Sequence, residues 1–458
     1  MQITPGAVEA VTDDDHRSTE RRPRGWTAPT GGPLWASVAV LLGVLLWLWA
    51  SARPLGSRFV NRPATLGAIS SLAALAGTVL LAMTIVLTAR LRLVERGAGG
   101  LDRVYRFHHR LGAAAFALLA LHPSLLAWRY AHVSWDRSAA LWRPDPADLA
   151  LAAGQVALYG MAVAIAATMW CSVRHQVLLW LQRALGVLFL PAAWHALHAG
   201  GDSAERGPLR WYLGAVVALG LAALVAHTFA GRLVSPHHRY EVRSVRALSP
   251  TITELWLRPL GRSMHFVPGQ FAFVRFKDQP IGGEPHPYSI ASAPGGELRF
   301  TVKHLGDYTA HIGEVTVGAE AVVEGPYGRF SNRFVAGRRQ AWVAGGIGIA
   351  PFLSMAHALE DTGGYRVTLF YGHAGDGPAS VLEELRALAA HRPDLEVVFV
   401  DEHADGLIDA DLLGRHLGDL ADVEFLLCGP PPMLHSLQRQ LTNAGVAHHR
   451  IHFEEFGF

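Results

Sequence analysis

Two cysteines, Cys171 and Cys428, are all that the 458 residues contain. Thiolate-ligated iron–sulfur clusters, cysteine-type zinc sites and a disulfide framework are thereby excluded within one chain, and with them a reductase carrying a fused ferredoxin. The net charge of +2 is too small to point to nucleic acid as a partner. No repeat of fixed period and no low-complexity tract is found. Charge itself is scarce, at 17% of residues. Six stretches, 32–52, 63–89, 111–128, 149–173, 184–201 and 211–231, hold no Asp, Glu, Lys or Arg. All reach or approach the ~20 residues that span a bilayer as a helix. Beyond Arg232 such stretches stop, and a boundary falls at SPHHRY, 235–240.

These stretches define a six-span membrane region over 32–232. The residues ahead of it, 1–31, carry DDDH and ERRPR, lack the layout of a cleavable signal peptide, and read as a disordered leader. Arginine is richer in that leader, in the connection between spans two and three, between spans four and five and at Arg232 than on the opposite side. The bias predicts a multi-pass protein of the cell membrane with both termini and the second half cytoplasmic.

The third span carries its histidines in RFHHRLGAAAFALLALHPSLLAWRY, 106–130. Ionisable rings in hydrocarbon are expensive and mark function. His108 and His122 are 14 residues apart, a rise of roughly 21 Å with a rotational mismatch of about 40°, so both rings leave one face at two depths. His109 points away by roughly 140° and is the alternative to His108. A later span offers His195, so two helices can present imidazoles to iron between them, as in bis-histidine haem.

Residues 240–334 alternate in short runs (YEVRSVRAL, FAFVRF, LRFTVKHL) broken by Gly and Pro, the signature of a small antiparallel barrel. From Gln340 apolar strands alternate with helical stretches, which predicts a doubly wound parallel sheet of the nucleotide-binding kind. Its first strand ends in GGIGIAP, 345–351, where glycines let backbone approach a pyrophosphate and a helix begins with Pro351. The boundaries predicted are 235–336 for the β domain and 340–458 for the α/β domain.

HPYS at 286–289, the Gly306–Thr309 segment, GGIGIAPF, YGH, CGPPPM and the terminal EEFGF follow the order seen in ferredoxin–NADP reductase-type flavoproteins. With the histidine-bearing spans in front, residues 32–458 resemble the ferric reductase and NADPH oxidase superfamily. The resemblance implies an FAD site in which His286, Pro287, Tyr288 and Ser289 hold the flavin, Tyr288 against the isoalloxazine and Ser289 near N5. It places Gly306 and Thr309 near the FAD pyrophosphate or the opposite flavin edge. Gly345, Gly346, Gly348 and Pro351 would bind NAD(P)H, Cys428, Gly429 and Pro430 would place the nicotinamide, and Phe458 would stack on the flavin until displaced. Relatives selecting NADPH often carry an Arg shortly after the second strand's YG; here YGHAGD stands there, and NADH and NADPH both stay open.

The resemblance further implies two b-type haems between the third and fifth spans, each span giving two histidines. His122 with His195 supplies the outer haem. Where an inner ligand is expected, thirteen residues before His195, stands Gln182. A carboxamide is a poor haem ligand. The inner haem is then retained in altered form on His108, absent, or completed by His109 or His175; His198 could serve the outer haem or face solvent. The implied activity is a flavocytochrome oxidoreductase that passes electrons from NAD(P)H through FAD and haem to ferric chelate, dioxygen, a quinone or a partner protein. The alternatives are a membrane-anchored NAD(P)H:flavin or cytoplasmic-acceptor reductase with little or no haem, and a non-enzymatic binding subunit, against which the intact motifs argue.

Overall fold

The computed structural model describes residues 32–89, 92–98, 100–170, 175–203, 207–229, 237–279, 281, 283–359, 364–374 and 378–453. Six long helices occupy the uncharged stretches: α1 (Gly32–Ala52), α2 (Arg62–Thr88), α3 (Leu101–Ala131), α4 (Leu149–Trp170), α5 (His175–His198) and α6 (Pro208–Phe229). Among the described residues, five are long and apolar enough to cross a membrane. The sixth long helix, α5, carries Gln182, Arg183, His195 and His198 along its length. The expected six spans are thus six long helices, five of which have a span's composition over their described residues. Large apolar side chains face outward on them, Val40, Leu46, Val163 and Leu219 among these. A bundle surrounded by water would turn such residues inward.

Helix α2 is the most buried of the five. Asn61 caps it by accepting the Ala64 N–H at 2.9 Å, and a proline follows in its first turn. Thr78 and Thr84 return their hydroxyls to carbonyls one turn back, so α2 carries polar side chains inside the bundle without orphaned donors.

The second half contains two sheets. Strands β1 (His237–Ser249), β2 (Ile252–Pro259), β3 (Phe271–Phe276), β4 (His286–Ser289), β5 (Leu298–Lys303) and β6 (Glu320–Tyr327) form an antiparallel sheet in the order β4-β3-β6-β1-β2-β5. A single bridge from Ile290 to Phe300 joins its two ends. Strands β7 (Arg339–Gly345), β8 (Arg366–His373), β9 (Leu395–Asp401), β10 (Glu424–Cys428) and β11 (Ile451–Phe453) form a parallel sheet in the order β11-β10-β7-β8-β9. Helices α7 (Ala350–His357), α8 (Ala379–His391), α9 (Ala410–Leu417) and α10 (Pro431–Asn443) connect them.

The period of two along β7 sorts its side chains onto opposite faces. Trp342 and Ala344 pack with Phe352 of α7 and Leu385 of α8, whereas Ala341 and Val343 pack with Leu413 of α9 and Leu437 of α10. Strand β7 therefore lies at the sheet's topological switch, with its C-terminal end open for a ligand. The two sheets are joined by a buried ion network: Arg299 of β5 meets Glu254 of β2 and Glu384 of α8 at 2.6 Å each, and Glu384 also takes His357 Nε2 at 2.5 Å.

Candidate functional site

The histidine sites begin with Pro123 and Pro191, which interrupt the hydrogen-bond ladders of α3 and α5 beside His122 and His195. The His122 and His195 rings lie 6.3 Å apart, centroid to centroid, inclined at 60°. Two metal–imidazole bonds of about 2 Å each, with about 1 Å more from each bonded nitrogen to its ring centre, span about 6 Å. Both rings line a cavity of about 690 Å³ among α2, α3, α4 and α5.

Each ring is oriented through Nδ1. His122 Nδ1 lies 3.0 Å from the Ser70 carbonyl and 2.8 Å from its hydroxyl, and His195 Nδ1 lies 2.8 Å from the Ala150 carbonyl. Tying Nδ1 to a carbonyl fixes the tautomer that leaves Nε2 as the electron-pair donor, the usual outer-sphere support of a metal-bound imidazole. Gly154 supplies the room: a Cβ there would come 2.6 Å from His195 Nδ1. The chemistry of this donor pair and the volume of the cavity fit haem.

His108 repeats the arrangement one level away, with Nδ1 3.1 Å from the Thr84 carbonyl. Its ring sits 5.5 Å from that of His109, which is exposed. Gln182 is exposed on α5 and does not line the His122–His195 cavity. The side chain of His175 lies outside the described residues. His198 is spent on its own helix, with Nδ1 2.9 Å from the Trp194 carbonyl and its ring stacked on Trp194 at 4.0 Å.

Asp202, in the connection after α5, closes the cavity's far end. Its Oδ2 accepts from Arg58 at 2.7 Å, Ser71 at 2.8 Å and Trp49 Nε1 at 2.9 Å. Burial alone would raise its pKa; the hydrogen bonds from Arg58 and Ser71 outweigh that and hold the carboxyl below its ordinary value. Sequence patterning missed this cluster, as it missed Ser70 and Gly154. The one available signal is that Asp202 is the first charge after an 18-residue uncharged run.

In the antiparallel sheet, β4 is an edge strand that sets His286 opposite Val274 and Ser289 opposite Phe271. Pro287 falls opposite Phe273, where an edge strand tolerates a missing N–H. The His286 ring stacks on Tyr308 at 3.7 Å, which brings the HPYS strand to the Gly306–Thr309 turn. The hydroxyls of Tyr288 and Tyr308 are buried without a hydrogen-bond partner. Burial pushes both phenols up, Tyr308 to about 12. Orphaned buried hydroxyls of this kind ask for a ligand's polar atoms, and FAD fits. The Thr309 hydroxyl is engaged locally, accepting Leu305 N–H at 2.9 Å and Gly306 N–H at 3.1 Å, so it shapes the turn.

In the parallel sheet, GGIGIAP leaves β7 as a 3-10 turn over Gly346–Ile349 before α7 begins at Ala350, with Pro351 in the first turn. Gly346 takes φ +54° with open space where a Cβ would stand. A Cβ at Gly348 would strike the Cys428 carbonyl oxygen at 2.2 Å. The β7–β10 pairing, with Cys428 opposite Ala344, thus brings the glycine turn and CGPPP together. Gly429 and Gly345 touch the Met433 side chain in the same way, and Pro430 precedes α10. Cys428 is buried. Phe458 lies outside the described residues.

Three family models match in chain order: a ferric reductase-like transmembrane component over 73–193, an FAD-binding domain over 239–331 and an oxidoreductase NAD-binding domain over 342–439. A flavohemoprotein of Bordetella pertussis is 31% identical over 233 residues, which cover 46% of this chain and 58% of that protein. The ferredoxin–NAD(P)(+) reductase component of a Ralstonia naphthalene 1,2-dioxygenase/salicylate 5-hydroxylase system is 32% identical over 211 residues, 43% of this chain and 62% of the relative. The chain spans about three fifths of these relatives' length. Among solved structures, the flavohem-like FAD/NAD-binding domain of a Vibrio cholerae nitric oxide dioxygenase is 26% identical with a TM-score of 0.41, covering 48% of this chain and 99% of that one.

Proposed function

As the chain is a fusion of the ferric reductase and NADPH oxidase-like kind, a ferric reductase-like membrane component followed by FAD- and NAD-binding domains, we propose that it carries electrons from NAD(P)H to an acceptor across the membrane. The observation that carries this reading is the His122–His195 pair, 6.3 Å apart across a cavity with both Nδ1 atoms tied to carbonyls. FAD supplies the conversion of a two-electron hydride into single electrons, and haem iron carries them one at a time.

The residues have the following roles in this reading. His122 and His195 give Nε2 to the outer haem, and Arg129 and Tyr130 line the same cavity. His108 holds the inner haem; its Thr84 tie, built like that of His122, favours retention. Tyr288 would lie along the flavin, Ser289 would donate toward N5, and Gly306 would let the cofactor approach, since a Cβ there would meet nothing within 4 Å. Gly345, Gly346 and Pro351 would receive the nucleotide's phosphates, while Gly348 sets the distance to Cys428, Gly429 and Pro430, which would hold the nicotinamide. Phe458 would cover the flavin in the absence of nucleotide. The leader 1–31, the haem domain 32–232, the FAD domain 235–336, closed as a barrel, and the NAD(P) domain 340–458 are the working units, with both termini cytoplasmic. The acceptor is ferric chelate or dioxygen.

The exposed position of Gln182 favours one competing reading, a membrane-anchored NAD(P)H:flavin reductase without haem. A reduced-minus-oxidised spectrum of the purified chain, with haem quantified per flavin, separates the two. One or two low-spin haems per flavin are expected; flavin without haem would reject the transmembrane path.

A further inference from the structure

The flavin sheet is docked directly on the membrane helices. Phe271 and Phe273 of β3 and Tyr327 of β6, each at most 5% exposed, share one apolar cluster with Leu80 of α2 and Val104, Phe107 and Leu111 of α3. The intervening residues Ala272, Val274 and Phe276 point the other way, into the sheet's own core. The rings of Phe271 and Phe273 lie 5.9 and 5.6 Å from that of Tyr327.

At the rim of this seam, Gly328 N–H donates to Glu95 Oε1 at 3.1 Å, and Glu95, on the short helix Arg92–Ala98, is buried. Arg329 stands beside it. Burial holds its guanidinium below the ordinary value, the positive charge of Arg103 adds to that, and Glu95 opposes it. The Glu95 carboxylate thus faces the Arg329 guanidinium across the seam, where Arg103 adds a second positive charge. A buried charge is tolerated only with such a partner.

We infer that Glu95 is a positioning residue that holds the flavin sheet at transfer distance from α3. The inference rests on the proposed electron path. Phe271 is the register partner of Ser289, and Phe107 immediately precedes His108, so the docked rings lie between the flavin-side and haem-side residues of that path. Transfer of one electron from reduced flavin to ferric iron depends steeply on separation.

The test is Glu95→Gln in the full chain in detergent. NAD(P)H-driven reduction of ferricyanide is expected to stay at the wild-type rate, anaerobic flavin-to-haem transfer to slow at least tenfold, and hydrogen exchange over 92–98 and 327–330 to accelerate. Glu95→Gln combined with Arg329→Gln removes both charges of the pair and is expected to recover much of the transfer rate. Wild-type exchange together with wild-type haem reduction in Glu95→Gln overturns the inference. Should wild type carry no haem, the proposed path falls, and the exchange result alone decides the docking role. If Glu95→Gln misfolds, Glu95→Asp draws the carboxylate back from Gly328, and wild-type behaviour in that variant overturns the inference equally.

Discussion

Gly154 of α4 and His195 of α5 are in contact so close that a methyl group on the first would overlap the ring of the second, at 2.6 to 2.8 Å from three of its atoms. The glycine is thus part of the imidazole's socket, as the Ala150 carbonyl is its latch.

Gly154→Ala raises intrinsic helix propensity by about 1 kcal/mol, so the helix itself gains. The His195 ring must nevertheless move and give up its Ala150 bond, a loss of about 1 kcal/mol. The expected result is a folded protein with most of its low-spin haem absorbance gone and NAD(P)H-to-ferricyanide activity unchanged. A wild-type spectrum would show that His195 is no ligand.

His122→Ala and His195→Ala are each expected to abolish electron delivery across the membrane and remove one low-spin haem, leaving flavin reduction at the wild-type rate. Redox-difference spectra and stopped-flow flavin bleaching check the two halves separately. Retention of the full haem signal in both variants rejects the ligand pair.

Ser289→Ala is expected to retain FAD and to slow hydride transfer about tenfold, the equivalent of one hydrogen bond of ~1.4 kcal/mol. Pre-steady-state flavin reduction measures this. An unchanged rate removes Ser289 from the reacting centre.

Burial opposes ionisation of Glu384, yet hydrogen bonds from His357 and Arg299 and their charges bring its carboxyl down to about 2, against an ordinary 4.5. A carboxyl depressed on folding contributes stability that is present above its unfolded pKa and is lost as the pH falls through the folded one. The junction of the two sheets should therefore weaken between about pH 4.5 and pH 2. Glu384→Gln should remove that pH dependence and cost on the order of 2 kcal/mol at pH 7. Flavin release on heating, followed by fluorescence, reads both. Identical pH profiles for variant and wild type would contradict the assignment.

Gln182→His tests the inner site. With haem held on His108, a second imidazole converts weak axial ligation into a low-spin bis-histidine centre and shifts its potential. With an empty site, haem per flavin rises. If neither changes and His108→Ala is also silent, no inner haem exists.

Much of this architecture was legible from local pattern. Uncharged stretches located all six long helices because helix length and hydrocarbon thickness are matched, and a spacing of 14 along α3 paired His108 with His122 in preference to His109. The parallel sheet followed from strands alternating with helices, and its glycine turn from GGIGIAP. What stayed hidden depends on residues distant in sequence. Ala150 presents a carbonyl to His195, and Ser70 presents its carbonyl and its hydroxyl to His122 from 52 residues away, contacts that no local side-chain pattern can announce. Asp202 gathers its partners from three other segments. Phe271 and Phe273 read as ordinary strand residues until the surface they cover is known.

That last pair has a thermodynamic consequence. Strand β3 gives Ala272, Val274 and Phe276 to the interior of its own sheet and Phe271 and Phe273 to one shared with the membrane helices, leaving Arg275 partly exposed. Melting either interior strips apolar cover from the other. The nucleotide-binding half and the membrane half are therefore expected to denature as one cooperative unit, and detergents that loosen the helices to lower the heat resistance of a flavin site they never touch.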